Sequence, residues 1–342
     1  MTRRESRLFT FLNKSSANLA RQRVFARKQQ SRACQRSAPT LSSTLMHCRP
    51  ALSILLLCPL AASAQSSNLN LPEIDAARIS YRQTANLDMG SGSGQLQLSQ
   101  LEVRSLLSRP IPLADDWLVV PFADFTLSNF DLGHPASPTG FPFHNEDLYS
   151  LGVSAFAVHI NDTSPWIYGG WARAELATDF EHVTSDALTF DLAAAGAYRF
   201  NDHFTLGCGA AVFNLNGHVS GYPVVGFDWI VSDTVRIGLY GPSFVAAYTP
   251  SQDWKLSLLG KTIGGIWNVT DTAGNSRAME LTTYQIGVSA ERRLSGKLWL
   301  SATVGASVGN QLEYTTLTGS TLYRRAPEAG AFAQIGLRLK AW

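Results

Sequence analysis

From about residue 76 to residue 342 the chain repeats one pattern: ten or so residues alternating apolar and polar, then a turn. In 188–200, Leu188, Phe190, Leu192, Ala194, Tyr198 and Phe200 fall on one face, and Thr189, Asp191, Ala197 and Arg199 on the other. Residues 298–308 repeat the arrangement. Successive strand side chains point to opposite faces, so each segment has one oily side and one wet side. Strands of about ten residues with that period suit a wall with lipid outside and a hydrated or polar interior. The pattern therefore predicts an all-β fold, a single antiparallel transmembrane β-barrel of about 12–14 strands.

The links support this. Strands are predicted near 76–88, 95–108, 117–127, 147–159, 165–177, 187–200, 204–214, 221–231, 234–241, 243–249, 253–268, 281–294, 297–309 and 329–342. Tight turns at 161–164, 201–203, 232–233, 250–252 and 295–296 alternate with longer links at 128–146, 178–186, 215–220, 269–280 and 310–328. Short periplasmic turns and longer external loops are the habit of outer-membrane barrels. Gly241-Pro242 is the one short link on the loop side. Read as a turn it gives fourteen strands; read as a bend it gives about twelve, and fourteen is preferred. A soluble β-sandwich also alternates. Aromatics near strand ends (Trp117, Tyr149, Trp166, Tyr198, Trp229, Trp254, Trp299) and polar faces built from small residues such as Gly207, Gly209 and Ala211 favour the barrel.

The first 75 residues are read apart from the fold. Residues 46–64 combine a short basic start, the apolar run 51–60 and Ala62-Ser63-Ala64. This is the plan of a cleaved secretory signal, with cutting expected before Gln65. Its apolar run is shorter than the roughly 20 residues that a spanning helix needs. Lipidation at Cys58 is disfavoured by the bulky Leu57 before it and Pro59 after it. Residues 1–45 form a basic leader read as lying upstream of the true start, Met46, and 65–75 a flexible lead-in to a barrel domain over 76–342. The chain holds 28 Lys and Arg against 26 Asp and Glu. Residues 1–64 carry eleven of those basic residues and one acid, which leaves 17 basic and 25 acidic, net −8. The basic balance thus belongs to the leader and gives no support for nucleic-acid binding. Cys208 alone lies beyond residue 64, on an apolar face, so no disulfide framework or cysteine metal site is expected.

The signal segment, the hairpins, the stretch Leu239-Tyr240-Gly241-Pro242-Ser243-Phe244-Val245-Ala246-Ala247-Tyr248 leading to Trp254, and the aromatic last residue resemble an uncharacterised outer-membrane β-barrel family of Gram-negative bacteria, a domain-of-unknown-function family. The resemblance covers most of 75–342 and is architectural, so it implies a fold and a location but no functional residues. Ala333, Ile335, Leu337, Leu339 and Ala341 share a face, with Trp342 one step out of phase. Leu337, Leu339 and Trp342 are read as the signal for the barrel-assembly machinery.

The predicted inward faces carry Asp124, Arg173, Glu175, Asp191, Arg199, Asp228, Arg236, Glu291 and Arg293, with Arg338 and Lys340 near the C-terminus. Charges there avoid lipid and either pair across strands to fill the lumen or line a passage for charged solutes. A barrel of 12–14 strands exceeds the eight-stranded size that side chains alone fill. His134, His144, His182 and His218 fall in predicted external loops, and His159 and His203 at periplasmic turns. They show no Ser-His spacing of a known barrel hydrolase, so an outer-membrane hydrolase is the least favoured of three readings. The expectation is therefore a non-enzymatic outer-membrane barrel, first a channel or transporter for small solutes, second a closed structural or surface-interaction barrel with 128–146 and 310–328 as contact loops. No metal or cofactor is implied; outer-membrane lipid, the assembly machinery and small solutes are the expected partners.

Overall fold

Gly241 and Pro242 form a two-residue hairpin loop: Tyr240 faces Ser243 across it, and Gly241 has φ +60°. A positive φ followed by proline's fixed negative φ suits a tight hairpin whose twist matches its strands. The link is thus a turn, and the preferred count of fourteen holds. The computed structural model describes residues 74–342 apart from 91–93, 115, 134–144, 162, 216–217, 272 and 342. The leader, the signal segment and the lead-in up to Glu73 lie outside the described residues.

The strands are β1 (Asp75–Asp88), β2 (Gln95–Leu106), β3 (Ile111–Ala114), β4 (Trp117–Gly133), β5 (Asn145–Ile160), β6 (Trp166–Thr178), β7 (Leu188–Asn201), β8 (Phe204–Leu215), β9 (His218–Ser232), β10 (Val235–Tyr240), β11 (Ser243–Ser251), β12 (Trp254–Thr270), β13 (Ser276–Ser295), β14 (Leu298–Thr316), β15 (Thr321–Arg325) and β16 (Gly330–Lys340). Fourteen of them pair antiparallel in chain order, and β16 returns to β1 through pairs such as Arg82 with Gln334. The short β3 and β15 pair only with β4 and β14. Closure gives the first and last strands a partner and removes two free edges.

Several strands run further toward the loop end than the sequence reading set them. β4 continues to Gly133 and β14 to Thr316, and β13 begins at Ser276. In β4 the extension keeps the alternation, since Ser128, Phe130 and Leu132 share the inward face.

The register separates the faces. Ile79, Val103, Leu151, Val153, Leu192, Val288, Val304 and Ile335 point outward and are exposed, whereas Ser80, Arg82, Gln100, Ser128, Gln285 and Ser307 point inward and are buried. Cys208 points outward, opposite Gly196. At the short-turn end the outward aromatics form a chain. Tyr168 packs between His159 and Trp166, Trp166 meets Tyr198, and Tyr198, Phe200 and Phe204 follow in sequence, at centroid distances from 4.9 to 6.1 Å. A second row lies toward the loop end, where Tyr149 meets Phe125 and Phe180. Two aromatic rows bordering an apolar band are what an interface between acyl chains and water selects.

Candidate functional site in the lumen

The inward residues are distributed unevenly around the ring. Arg82 of β1 is 2% exposed and donates to Gln100 and to Glu102 (2.9 Å) of β2 and to Gln285 of β13 (3.4 Å). Gln100 donates to Ser128 (2.8 Å), Gln285 to Ser307 (3.2 Å) and Thr303 to Ser289 (2.9 Å). This network joins five strands on one side of the lumen. A buried guanidinium is tolerated only with such partners, because an isolated charge out of water is costly.

The residues singled out from the sequence fall into three groups. Arg173 reaches Asp124 (2.5 Å) and Glu175 (3.0 Å), with Asp191 opposite Arg173 in the register. Asp228 and Arg236 pair across β9 and β10 through an Nε–H donating to Oδ1 at 2.7 Å, and the Tyr240 hydroxyl donates to the same carboxylate at 3.2 Å. At the turn end, Arg338 joins Glu291 (2.7 Å) and Asp75 (2.9 Å), while Arg293 faces Asp253 (3.5 Å) and lies over Trp299. Arg199 stands opposite Thr205, also at the turn end. Leu337 and Leu339 lie on β16 against β1 and β14; Trp342 lies outside the described residues.

The sequence reading passed over Arg82, Glu102, Gln100 and Gln285. Arg78, Ser80, Arg82 and Thr84 alternate with Ile79 and Tyr81 just as the chosen residues do, so the signal was present. Ser80, Gln100 and Gln285 were invisible to a search for charge.

A layer of apolar side chains lies toward the loop end: Leu87, Leu96, Leu98, Phe130, Leu132, Leu148, Trp267, Val269, Met279, Leu281, Leu312 and Tyr314 among them. Phe130 of β4 meets Trp267 of β12 edge-on at 5.4 Å, and the indole N–H donates to Ser150 of β5 (3.1 Å). These strands are not neighbours in the ring, so the contacts cross the lumen. Above them β12 touches β6. Asn268 pairs with Thr178, Asp179 N–H donates to the Asn268 carbonyl (3.2 Å), Thr270 N–H to the Asp179 carboxylate (2.6 Å), and the Asn268 amide to Thr184 (2.9 Å). Of the predicted contact loop 128–146, residues 134–144 lie outside the described residues; Phe130, from its first part, is a strand residue within the layer.

No member of this layer comes from β7–β11 among the described residues. The inward faces there are lined by Ala193, Ala195, Ala197, Gly207, Gly209, Ala211 and Gly226. Inward side chains stay exposed: Tyr222 50%, Tyr240 50%, and Arg236 47% for its side chain. One side of the lumen is packed and the other is open.

His159 lies outward at the turn end, its Nε2 3.7 Å from Asp116 and its ring near Trp117 and Tyr168. This setting gives it no access to the lumen.

Residues 148–340 match the family described as a domain of unknown function, DUF6268. The chain belongs to that family. The match covers more than half the chain and runs from β5 into β16, in line with the resemblance read from the sequence. No curated protein matches the chain. Among solved structures, the COG4313 outer membrane channel from Pseudomonas putida F1 is similar at 12% identity, with 79% of this chain and 96% of that chain covered and a TM-score of 0.45. The Pseudomonas putida toluene transporter TodX follows at 8% identity, 78% and 90% coverage and a TM-score of 0.31. The beta domain of the Bordetella autotransporter BrkA shares 15% identity, with 78% and 99% coverage and a TM-score of 0.30. The DUF6268 barrel assignment therefore rests on its own register and faces.

Proposed function

We propose that the chain is an outer-membrane channel for small solutes, with its passage along the β7–β11 side of the lumen. The observation that carries this reading is the asymmetric interior: small residues and exposed inward side chains on β7–β11 against a packed network on β1, β2, β4, β13 and β14. Fourteen strands enclose more volume than side chains fill, and the small residues leave that volume vacant. The Asp228–Arg236 pair stands in this open half and presents both signs of charge to a passing solute. In this reading the short turns are periplasmic and the long links external. Export uses the segment 46–64, and Leu337, Leu339 and Trp342 are read by the assembly machinery. Passage needs no reaction, and none is assigned.

A closed barrel is the second reading, favoured by one feature: the Phe130–Trp267 layer and the β6–β12 contact block the loop end of the packed half. Conductance in planar bilayers, with sugar-driven swelling of liposomes, separates the two. Stepwise currents and swelling are expected from the purified full chain. An electrically silent protein that leaves liposomes as tight as protein-free ones refutes the channel.

A further inference from the structure

The wall is not equally tall all the way round. β10 has 6 residues and its hairpin partner β11 has 9, whereas the strands flanking that hairpin, β9 and β12, have 15 and 17. Pairing between β9 and β10 ends at Gly226 with Tyr240, and between β11 and β12 at Phe244 with Gly260. Beyond those pairs, 218–224 of β9 are paired with β8 alone, and 261–267 of β12 with β13 alone, among the described residues. At about 3.4 Å per residue and a tilt near 40°, β10 rises about 15 Å, against an apolar band of about 25 Å. Trp229 and Tyr248, outward beside Ile237 and Val235, fix the foot of the hairpin at the turn-end aromatic row. The Gly241-Pro242 turn therefore ends inside the band, in its loop-end half.

The free edges are adapted to this. The Val225 carbonyl accepts from Gly241 N–H (3.2 Å), so the backbone of Val225 faces the hairpin, and by the two-residue period that of Pro223 faces the gap above it. Proline in a strand is at home where its missing N–H would have had no partner. Pro121 of β4 obeys the same rule: its carbonyl accepts from Leu107 N–H (3.0 Å), opposite the break between β2 and β3. On the other edge, Gly264 and Gly265 let β12 bend away from β11 toward β6. A Cβ at Gly264 would fall 1.9 Å from the Leu281 carbonyl oxygen, and one at Gly265 would fall 2.7 Å from the Trp267 ring. Open sheet edges at membrane depth persist only where they are buried in protein or line a water-filled cavity, here the open half of the lumen.

We propose that this notch, between β9 and β12 above the β10–β11 turn, is a lateral portal through which small apolar or weakly polar molecules pass between the outer leaflet and the open half of the lumen. The proposal rests on the channel reading and gives it a substrate class. Beside the turn the rim is Tyr222, Val224, Tyr240, Pro242 and Ile263; Lys261, at the foot of the free β12 edge, stands opposite the buried Gln285 on the inward face, and the ion pair of Asp228 with Arg236 lies deeper, where Tyr240 touches it. Whatever arrives between acyl chains must dissolve in them, and the two phenols offer it a single hydrogen bond at the threshold.

The test uses the full chain in liposomes, with Cys34, Cys48, Cys58 and Cys208 all changed to Ala as background and bimane attached at one new cysteine. Val224→Cys points inward yet borders the notch; Ala195→Cys is the lumen control and Val225→Cys the lipid control. Lipids carrying a mid-chain nitroxide are expected to quench 224 as strongly as 225 and to leave 195 bright. A second variant lengthens the hairpin by about four strand residues on each side of Gly241-Pro242, enough to raise the wall by about 10 Å. With heat-modifiable gel mobility retained, it is expected to bring uptake of the apolar dye N-phenylnaphthylamine down to that of protein-free vesicles, while sugar-driven swelling persists. A bright label at 224 overturns the portal, and so does quenching at 224 with dye uptake unchanged in the lengthened variant, which would mean that the notch only hosts acyl chains. Absent swelling alongside both portal signals would remove the hydrophilic channel and leave the portal standing.

Discussion

Trp267→Ala removes the side chain that bridges the lumen at the loop end. Trp267 is 2% exposed, packs edge-on against Phe130 and donates to Ser150. Truncating a buried tryptophan to alanine costs about 3–5 kcal/mol when the surroundings relax only in part. The barrel's own ladder does not depend on this ring, because β12 keeps its pairing with β13 from Trp254 to Thr270. The loss therefore falls on the closed arrangement of the loop end. At 1.4 kcal/mol per factor of ten, the balance between closed and open layers shifts by about two to three and a half powers of ten. Single-channel recording of the purified variant is expected to show long dwells in an added state of larger conductance. Trp267→Phe keeps most of the packing and loses the N–H donor, worth about 1 kcal/mol, so its shift is about fivefold. Wild-type current traces from a Trp267→Ala protein that still folds by gel mobility would refute the idea that this layer shuts the packed half.

Arg82→Met leaves Glu102 with Arg78 at 3.9 Å and strips a donor from Gln100 and Gln285; a loss of about 3–5 kcal/mol is expected as a lower unfolding temperature in detergent, partly recovered by adding Glu102→Gln. Arg236→Ala removes a cation from the open half and leaves Asp228 behind, so reversal potentials are expected to move toward cation preference, whereas Arg82→Met leaves them in place. Glu146 rises past the loop-end aromatic row, where burial, and then the neighbouring Glu181, Asp179 and Asp147, push its carboxyl up to about 7. A carboxyl raised on folding adds stability below its unfolded value near 4.5 and loses it as pH climbs through 7. Amide exchange at Phe130 and Leu148 should therefore quicken from pH 5.5 to 8 beyond its intrinsic pH dependence, an excess that Glu146→Gln abolishes.

Much of the ring was legible because one period of two governs it, and the parity that puts Leu192 outside puts Asp191 inside. Gly241-Pro242 carried its turn chemistry openly. The lumen contacts were not legible, since Phe130 and Trp267 are 137 positions apart in the chain and meet only once the ring has closed. Strand ends beyond the band were set too short because 128–133 also reads as loop composition, with Ser128, Asn129, Asp131 and Gly133. The notch did leave a mark: Pro223 in the middle of an inner strand signals a missing neighbour, and only knowledge of where β10 stops explains it.

Where the ring is joined, Ala341 N–H donates to the Ile74 carbonyl at 2.9 Å, one more rung beside the β1–β16 ladder. No stave is privileged once the cylinder exists, and a permuted chain, spliced from 341 to 74 by a short linker and opened at the Asn201–His203 turn, has the same cylinder available to it. Its fate in the cell would then turn on export and delivery, since the finished wall would be indifferent to where its thread was cut.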